Sequence, residues 1–88
     1  LTRISAKALA PKIRVNAIGP GPTLKAEFQS DSNYRKQRLS TPLNRGSSTF
    51  EICSTVKYFA DNPSVSGQLI CVDGGQNLQA IKKTEEID

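Results

Sequence analysis

The sequence contains no histidine, no methionine and no tryptophan, and it has two cysteines in 88 residues. Cys53 and Cys71 both lie in apolar segments, and two thiols without a histidine do not complete the four-ligand shell of a zinc site. We therefore predict no metal site, and two reduced, buried thiols. The same absence excludes Ser–His and Cys–His pairs, so nucleophilic catalysis of that kind has no candidate residues here.

Long apolar runs are also missing. No stretch approaches the roughly 20 apolar residues that cross a membrane, and no charged segment followed by an apolar run marks a signal peptide. We therefore expect a cytoplasmic protein without membrane contact. Hydrophobic residues make up 36% of the chain and aromatic residues 6%, so a domain of this size has little material for a core of its own.

The formal net charge of +4 is spread unevenly along the chain. Residues 1–45 carry +7 and residues 46–88 carry −3. The basic half can be interpreted as a face for a phosphate-bearing ligand or an acidic carrier, or as a set of solvated helix surfaces. The basic residues are not interleaved with stacking aromatic residues, so we predict no nucleic-acid partner.

The most informative stretch is residues 13–23, IRVNAIGPGPT. Ile13, Val15 and Ile18 favour a strand, and residues 19–22 predict a rigid corner of glycine and proline. In open α/β sheets ligands bind at the carboxyl ends of the strands. The corner lacks the third glycine of a dinucleotide fingerprint, and its prolines remove N–H donors. It is therefore predicted to form a wall of a site and not a phosphate cradle.

Three helices are predicted around this stretch. Residues 1–10 are predicted to form the end of an amphipathic helix that stops at Pro11. A short helix is expected over residues 33–39, after possible N-caps in residues 30–32 and with Tyr34 and Arg38 on one side. The polar segment that contains it, residues 24–43, is typical either of a surface loop or of a mobile lid over a ligand.

The third helix has the clearest start. Ser48 and Glu51 have the spacing of a capping box, and the apolar residues that follow recur at helical spacing and predict a core-packed face: Ile52, Val56, Phe59 and Ala60, with Cys53 alongside. Residues 61–63, Asp-Asn-Pro, are expected to end the helix.

A second strand is expected over Gly67–Val72, where a continuous apolar run suggests that both of its faces are covered. Asp73-Gly74-Gly75 then predicts a turn in which Asp73 caps locally and glycine takes up positive φ. Residues 79–88 are charged and weakly patterned, and we expect them to form a frayed tail.

Three blocks of the chain, in this order, resemble the late part of short-chain dehydrogenases/reductases. The blocks are LAPKIRVNAIGPG at residues 9–21, TPLNRG at residues 41–46 and SGQLICVDGG at residues 66–75. The resemblance covers about residues 1–78. The segment GPGPTL at residues 19–24 resembles the corresponding segment of pteridine-reductase-like members. The 3-oxoacyl-acyl-carrier-protein reductases are the alternative subgroup.

The resemblance implies an α/β fold: the carboxy-terminal portion of a Rossmann-like, doubly wound parallel sheet, with two strands and two to three helices. It also implies NADP or NAD as cofactor. Pro20, Gly21 and Thr23 match the loop that covers the nicotinamide, with Thr23 as the hydroxyl beside the carboxamide. Where the family often has a further threonine for the pyrophosphate, this chain has Lys25.

In the resembled family the helix that corresponds to residues 1–10 begins with a catalytic Tyr-x-x-x-Lys pair, and this chain has no counterpart of it. Tyr34 and Tyr58 are followed at the fourth position by Arg38 and Asn62, so no catalytic residue is predicted here. The resemblance implies a segment of an enzyme that reduces a carbonyl or pteridine-type small molecule and forms homo-oligomers through the capped helix and last strand. The alternative is a truncated, non-catalytic chain that acts only as a packing module.

Overall fold

The computed structural model describes residues 1–78. It contains five elements in the order α1 (Thr2–Leu9), β1 (Ala17–Pro20), α2 (Asp31–Leu39), α3 (Thr49–Asp61) and β2 (Leu69–Val72). The two strands pair in parallel. α3 belongs to the crossover between them and contacts both strands. The predicted α/β class with two parallel strands and two to three helices is confirmed, with three helices among the described residues. The predicted tail, residues 79–88, lies outside the described residues.

β1 begins later than the sequence suggests. The strand covers Ala17–Pro20, with Ala17 opposite Leu69 and Pro20 opposite Val72, so the predicted strand over Ile13–Ile18 is shifted toward the glycine-proline corner. Residues 13–16 do not extend the strand because the segment opposite them is an irregular loop. The Arg14 guanidinium donates to three carbonyl groups at the end of α3 and just beyond it, those of Phe59, Asn62 and Val65.

Pro20 can lie inside a strand because of the side toward which its nitrogen points. The Ala17 and Gly21 N–H groups donate to the Gln68 and Val72 carbonyls. Successive backbone groups of a strand alternate in direction, so the Pro20 nitrogen faces away from β2 and no ladder hydrogen bond is lost. This is the position in which a strand tolerates proline.

α3 has the predicted capping box. The Ser48 hydroxyl accepts a hydrogen bond from the Glu51 N–H at 3.1 Å, and the Glu51 carboxylate accepts one from the Ser48 N–H at 3.0 Å. The same carboxylate pairs with Arg45 at 3.0 Å. The helix ends at Asp61, before Asn62 and Pro63, as predicted.

The apolar residues are less covered than the sequence predicts. α3 has no buried residue, and Val56 on its predicted core face is 54% exposed. β2 alternates between exposed and half-buried positions, with Leu69 61% exposed. A sheet of two strands is too narrow to cover a helix of 13 residues or both faces of a strand. For the same reason the prediction of buried thiols is wrong: Cys53 and Cys71 are free, as expected, but exposed.

α1 ends at Leu9, before Pro11, as predicted, and it leaves much of its apolar side uncovered. Ala6 is its buried residue, whereas Leu1 and Ile4 are 97% and 73% exposed. α1 and residues 66–69 line an open groove of about 1180 Å³.

Small polar side chains hold the centre of the described chain. Thr41, Ser47 and Asp73 are 2%, 2% and 7% exposed, and each of them is hydrogen-bonded. Among the described residues no buried side-chain nitrogen or oxygen lacks a partner. The chain is therefore organised around a satisfied polar network more than around an apolar core.

Replacing Ser48 by Ala is expected to lower the free energy of unfolding by about 1 kcal/mol, because the N-cap acceptor of α3 is lost. Ser54→Ala is the matched control, since Ser54 is exposed within the same helix and alanine favours a helix interior. Urea melts of both variants and the wild type measure the effect. An unchanged midpoint for Ser48→Ala would show that the capping box contributes nothing.

Candidate functional site

The carboxyl end of β1 lies directly against the turn that follows β2. A methyl group added at Gly21 would approach the Asp73 Cα to 2.6 Å, a distance that side chains do not tolerate. At Gly19 the nearest atom would be the Cys71 Sγ at 3.4 Å, an ordinary contact. Positive φ among the described glycines is found at Gly67, Gly74 and Gly75. Gly21 is thus required for close packing on Asp73 and not for an unusual backbone angle.

The turn after β2 has the predicted structure. The Asp73 carboxylate accepts hydrogen bonds from the Gly75 and Asn77 N–H groups, both at 3.0 Å. Gly74 and Gly75 have φ of 65° and 85°, where glycine is favoured. Asp73 is buried and fully engaged in this turn, in agreement with a structural role.

Thr23 stands two residues beyond the close approach of Gly21 and is half-buried. Its hydroxyl donates to the Gly21 carbonyl at 2.8 Å and lies 2.6 Å from the Ser47 hydroxyl. The first bond folds the chain back on itself and fixes the side chain relative to the corner. The second ties the corner to the segment that leads into α3.

Arg38 holds the same two segments together through their backbones. Its Nη1 donates to the Pro22 carbonyl at 2.8 Å and to the Ser47 carbonyl at 3.0 Å. It also donates to the Tyr34 hydroxyl, and the guanidinium lies 5.6 Å from the Tyr34 ring centre. Tyr34 and Arg38 therefore share one side of α2, as predicted, and that side faces the corner. α2 itself begins with the predicted cap, the Ser30 hydroxyl, which accepts from the Asn33 N–H at 3.1 Å.

The segment before α3 approaches the corner very closely. A Cβ at Gly46 would lie 2.0 Å from the Pro22 carbonyl oxygen, so any side chain there would push the two segments apart. Thr41 stabilises this segment from within, because its hydroxyl donates to the Arg45 carbonyl and accepts from the Arg45 N–H. The resulting short separation is what lets the Ser47 hydroxyl reach Thr23.

The donor set of the corner suits a flat, neutral group better than a phosphate. Pro20 and Pro22 have no N–H, and the Gly21 N–H is used by the Val72 carbonyl at 3.1 Å. An anion site needs free N–H groups, and these three residues offer none. Lys25 does not supply the missing charge freely, since its ammonium pairs with Asp31 at 2.5 Å. The side-chain group of the corner that is left for a ligand is the Thr23 hydroxyl oxygen.

The three predicted residues lie together at the corner, and each has a local structural role. Pro20 ends β1, Gly21 packs on Asp73, and Thr23 is oriented by hydrogen bonds. Sequence reasoning did not assign Ser47 to this site. Its signal was weak: a serine directly before a capping box, in a segment whose proximity to Thr23 exists only in the folded chain.

Other kinds of site find little support in the part of the chain that the structure describes. Residues 1–78 contain no group of three or more cysteine and acidic side chains placed to hold a metal ion. No helix in the same range is long and apolar enough to cross a membrane.

Comparison with known proteins places these elements in a family. The family described as enoyl-(acyl carrier protein) reductase matches residues 1–77. Dihydromonapterin reductase of Citrobacter koseri is 36% identical over 80 residues, which are 90% of this chain and 33% of that protein. Human 3-oxoacyl-[acyl-carrier-protein] reductase is 32% identical over 78 residues, 88% of this chain and 32% of that protein.

A solved structure is more similar still. The chain superimposes on the FolM alternative dihydrofolate reductase 1 of Brucella suis, solved in complex with NADP, with a TM-score of 0.83 and 51% sequence identity. The match covers 88% of this chain and 31% of that one, so the chain spans about a third of the length of the relatives it matches. On the family match and these likenesses, the chain belongs to the short-chain dehydrogenase/reductase family and is similar to its pteridine-reductase-like members.

Proposed function

We propose that this chain forms the nicotinamide-facing end of an NADP(H)-dependent reductase that acts on a pteridine or dihydrofolate-type substrate. The observation that carries the proposal is the 51% identity to the Brucella suis FolM protein, whose structure contains NADP, across 88% of this chain. The dihydromonapterin reductases of Citrobacter koseri and Escherichia coli, at 36% and 34% identity, support the same substrate class.

In this proposal Pro20 and Gly21 form a wall against the nicotinamide and Thr23 binds its carboxamide. The corner is rigid because Pro20 and Pro22 restrict φ and Gly21 is packed on Asp73. A rigid wall fixes which face of the ring is presented, and the Thr23 hydroxyl fixes the rotation of the carboxamide. The bound nicotinamide supplies the hydride, whereas the protein supplies orientation.

The proton donor for the reduction is expected from residues outside this sequence. No tyrosine here is followed by lysine at the fourth position, and the corner has no cradle for the pyrophosphate. A segment of this kind orients one half of the cofactor and leaves proton transfer and phosphate binding to other residues of the complete enzyme.

Thr23→Val in the complete enzyme is expected to weaken NADPH binding by about 0.5–1.5 kcal/mol, because one neutral hydrogen bond to the carboxamide is lost while the side-chain shape is kept. Fluorescence titration with NADPH gives the dissociation constants. Thr55→Val is the matched control, since the Thr55 hydroxyl donates within α3, to the Glu51 carbonyl. Equal dissociation constants for Thr23→Val and wild type would refute the contact.

The substrate class can be tested separately from the cofactor site. The purified complete enzyme should oxidise NADPH with dihydromonapterin or dihydrofolate and not with an acetoacetyl thioester. The reverse preference would favour the 3-oxoacyl-acyl-carrier-protein reductase alternative, which the 32% identity to the human enzyme supports.

The 88-residue chain produced alone is expected to transfer no hydride and to bind no dinucleotide tightly. It retains one wall of the nicotinamide site, and its strands expose apolar faces such as that of Leu69 together with an unpaired edge of β1. Titration with NADH and NADPH and an assay on carbonyl and pteridine substrates measure this. Micromolar binding or turnover above background would show that the active site has been misplaced. A lack of activity is also expected under the alternative, in which the chain is a non-catalytic packing module. That alternative requires the 88-residue chain to be the whole protein product.

A homo-oligomer interface along α3 and β2 is the second part of the proposal. Phe50 at the start of α3 is 79% exposed, and Tyr58 on the same helix is 48% exposed. Large apolar side chains exposed along one element are typical of surfaces that pack against a partner, and a second subunit can cover them by the same helix in an isologous pair.

Phe50→Lys is expected to shift the complete enzyme toward its monomer, because a charge would be buried in the interface without a partner. Sedimentation equilibrium measures the change. Phe28→Lys is the control, since Phe28 is 95% exposed and lies in the loop before α2. An unchanged mass for both variants would place any subunit interface elsewhere.

A further inference from the structure

The Ser47 hydroxyl has no role in the mechanism described so far, although it is among the most buried polar groups of the described chain. Ser47 is 2% exposed, and the hydroxyl partner found for it is the Thr23 Oγ1 at 2.6 Å. A buried hydroxyl group is costly when it is left without a hydrogen-bond partner, so this contact is the one that satisfies Ser47. The partner here is the residue proposed to contact the carboxamide.

The direction of this hydrogen bond follows from the number of protons available. Thr23 has one hydroxyl proton, and it is directed at the Gly21 carbonyl, which can only accept. The proton between the two hydroxyl groups therefore belongs to Ser47, which donates to Thr23. The Thr23 oxygen then has no proton left and one unused lone pair, so it can accept from a ligand but cannot donate to it.

The two hydroxyl groups are held in register by the surrounding backbone. Arg38 binds the Pro22 and Ser47 carbonyl groups through one nitrogen. Gly46 allows its segment to approach Pro22 without a side chain between them. The Ser47 donor is consequently pre-positioned before any ligand binds.

We propose that Ser47 is a positioning residue that sets the Thr23 hydroxyl as a hydrogen-bond acceptor, so that the site selects the NH₂ group of the carboxamide. The inference depends on the proposed function, in which Thr23 contacts that group. It assigns to the site discrimination between a carboxamide and a ring substituent with the same carbonyl but no N–H donor.

The test compares NADP⁺ with its 3-acetylpyridine analogue, in which a methyl group replaces the carboxamide NH₂. Isothermal titration calorimetry on the complete enzyme gives the two dissociation constants, and their ratio is the readout, independent of turnover. The wild type is expected to bind the analogue about fivefold more weakly, the value of one neutral hydrogen bond. Thr23→Val should reduce this ratio to about one, and Ser47→Ala should reduce it to about two because the acceptor is no longer oriented.

Three further variants separate positioning from general destabilisation. Ser47→Ala should leave the ratio unchanged when made in the Thr23→Val background, since coupled residues are not additive. Ser47→Thr keeps the donor and should retain the wild-type ratio. Thr55→Val removes a hydroxyl that donates within α3, to the Glu51 carbonyl, so it should leave the ratio at about fivefold.

The possible failures are distinguishable. A wild-type ratio near five that Thr23→Val does not change would overturn the proposed Thr23 contact, and the role of Ser47 with it. A ratio abolished by Thr23→Val but unchanged by Ser47→Ala would leave the function intact and overturn the positioning role. A wild-type ratio near one would show that Thr23 does not accept from the carboxamide NH₂, which contradicts the inferred hydrogen-bond direction.

Discussion

One guanidinium group joins the parts of this chain that matter for ligand binding. Arg38 donates to the Pro22 carbonyl in the corner and to the Ser47 carbonyl before α3, and it is steadied by the Tyr34 ring on its own helix. Hydrogen bonds from a charged donor to buried carbonyl groups are stronger than neutral ones. The corner, α2 and the start of α3 therefore keep a fixed relation although little apolar surface is buried between them.

The family fold explains why a network of polar groups, and not an apolar core, holds these segments together. The apolar faces of α1, α3 and β2 are largely exposed in the described chain, with Ile4 73% and Leu69 61% exposed. The chain matches about a third of the length of its relatives, and a sheet of two strands is too narrow to cover these faces. Contacts among the described residues fix the geometry of the loops at the carboxyl ends of the strands, where ligands bind in this class of fold.

Several local features could be predicted because they depend on neighbouring residues alone. The capping box at Ser48 and Glu51, the turn at Asp73 and the stop before Pro63 follow from hydrogen-bond and φ requirements within a few positions. The start of β1 could not be predicted in this way. Residues 13–16 have strand propensity, but their partner in the fold is the loop that follows α3, and pairing partners are not encoded locally.

The sequence by itself determined the chain's element types, its family and the position of the glycine-proline corner, because short motifs and glycine-proline spacing report local backbone constraints. The tertiary structure decided how that corner is used. It showed that Gly21 is demanded by close packing on Asp73, and that the hydroxyl of Ser47, 24 positions from Thr23, lies 2.6 Å from the Thr23 hydroxyl. The direction of a hydrogen bond between distant hydroxyl groups depends on every acceptor around them, and those are assembled only when the chain folds.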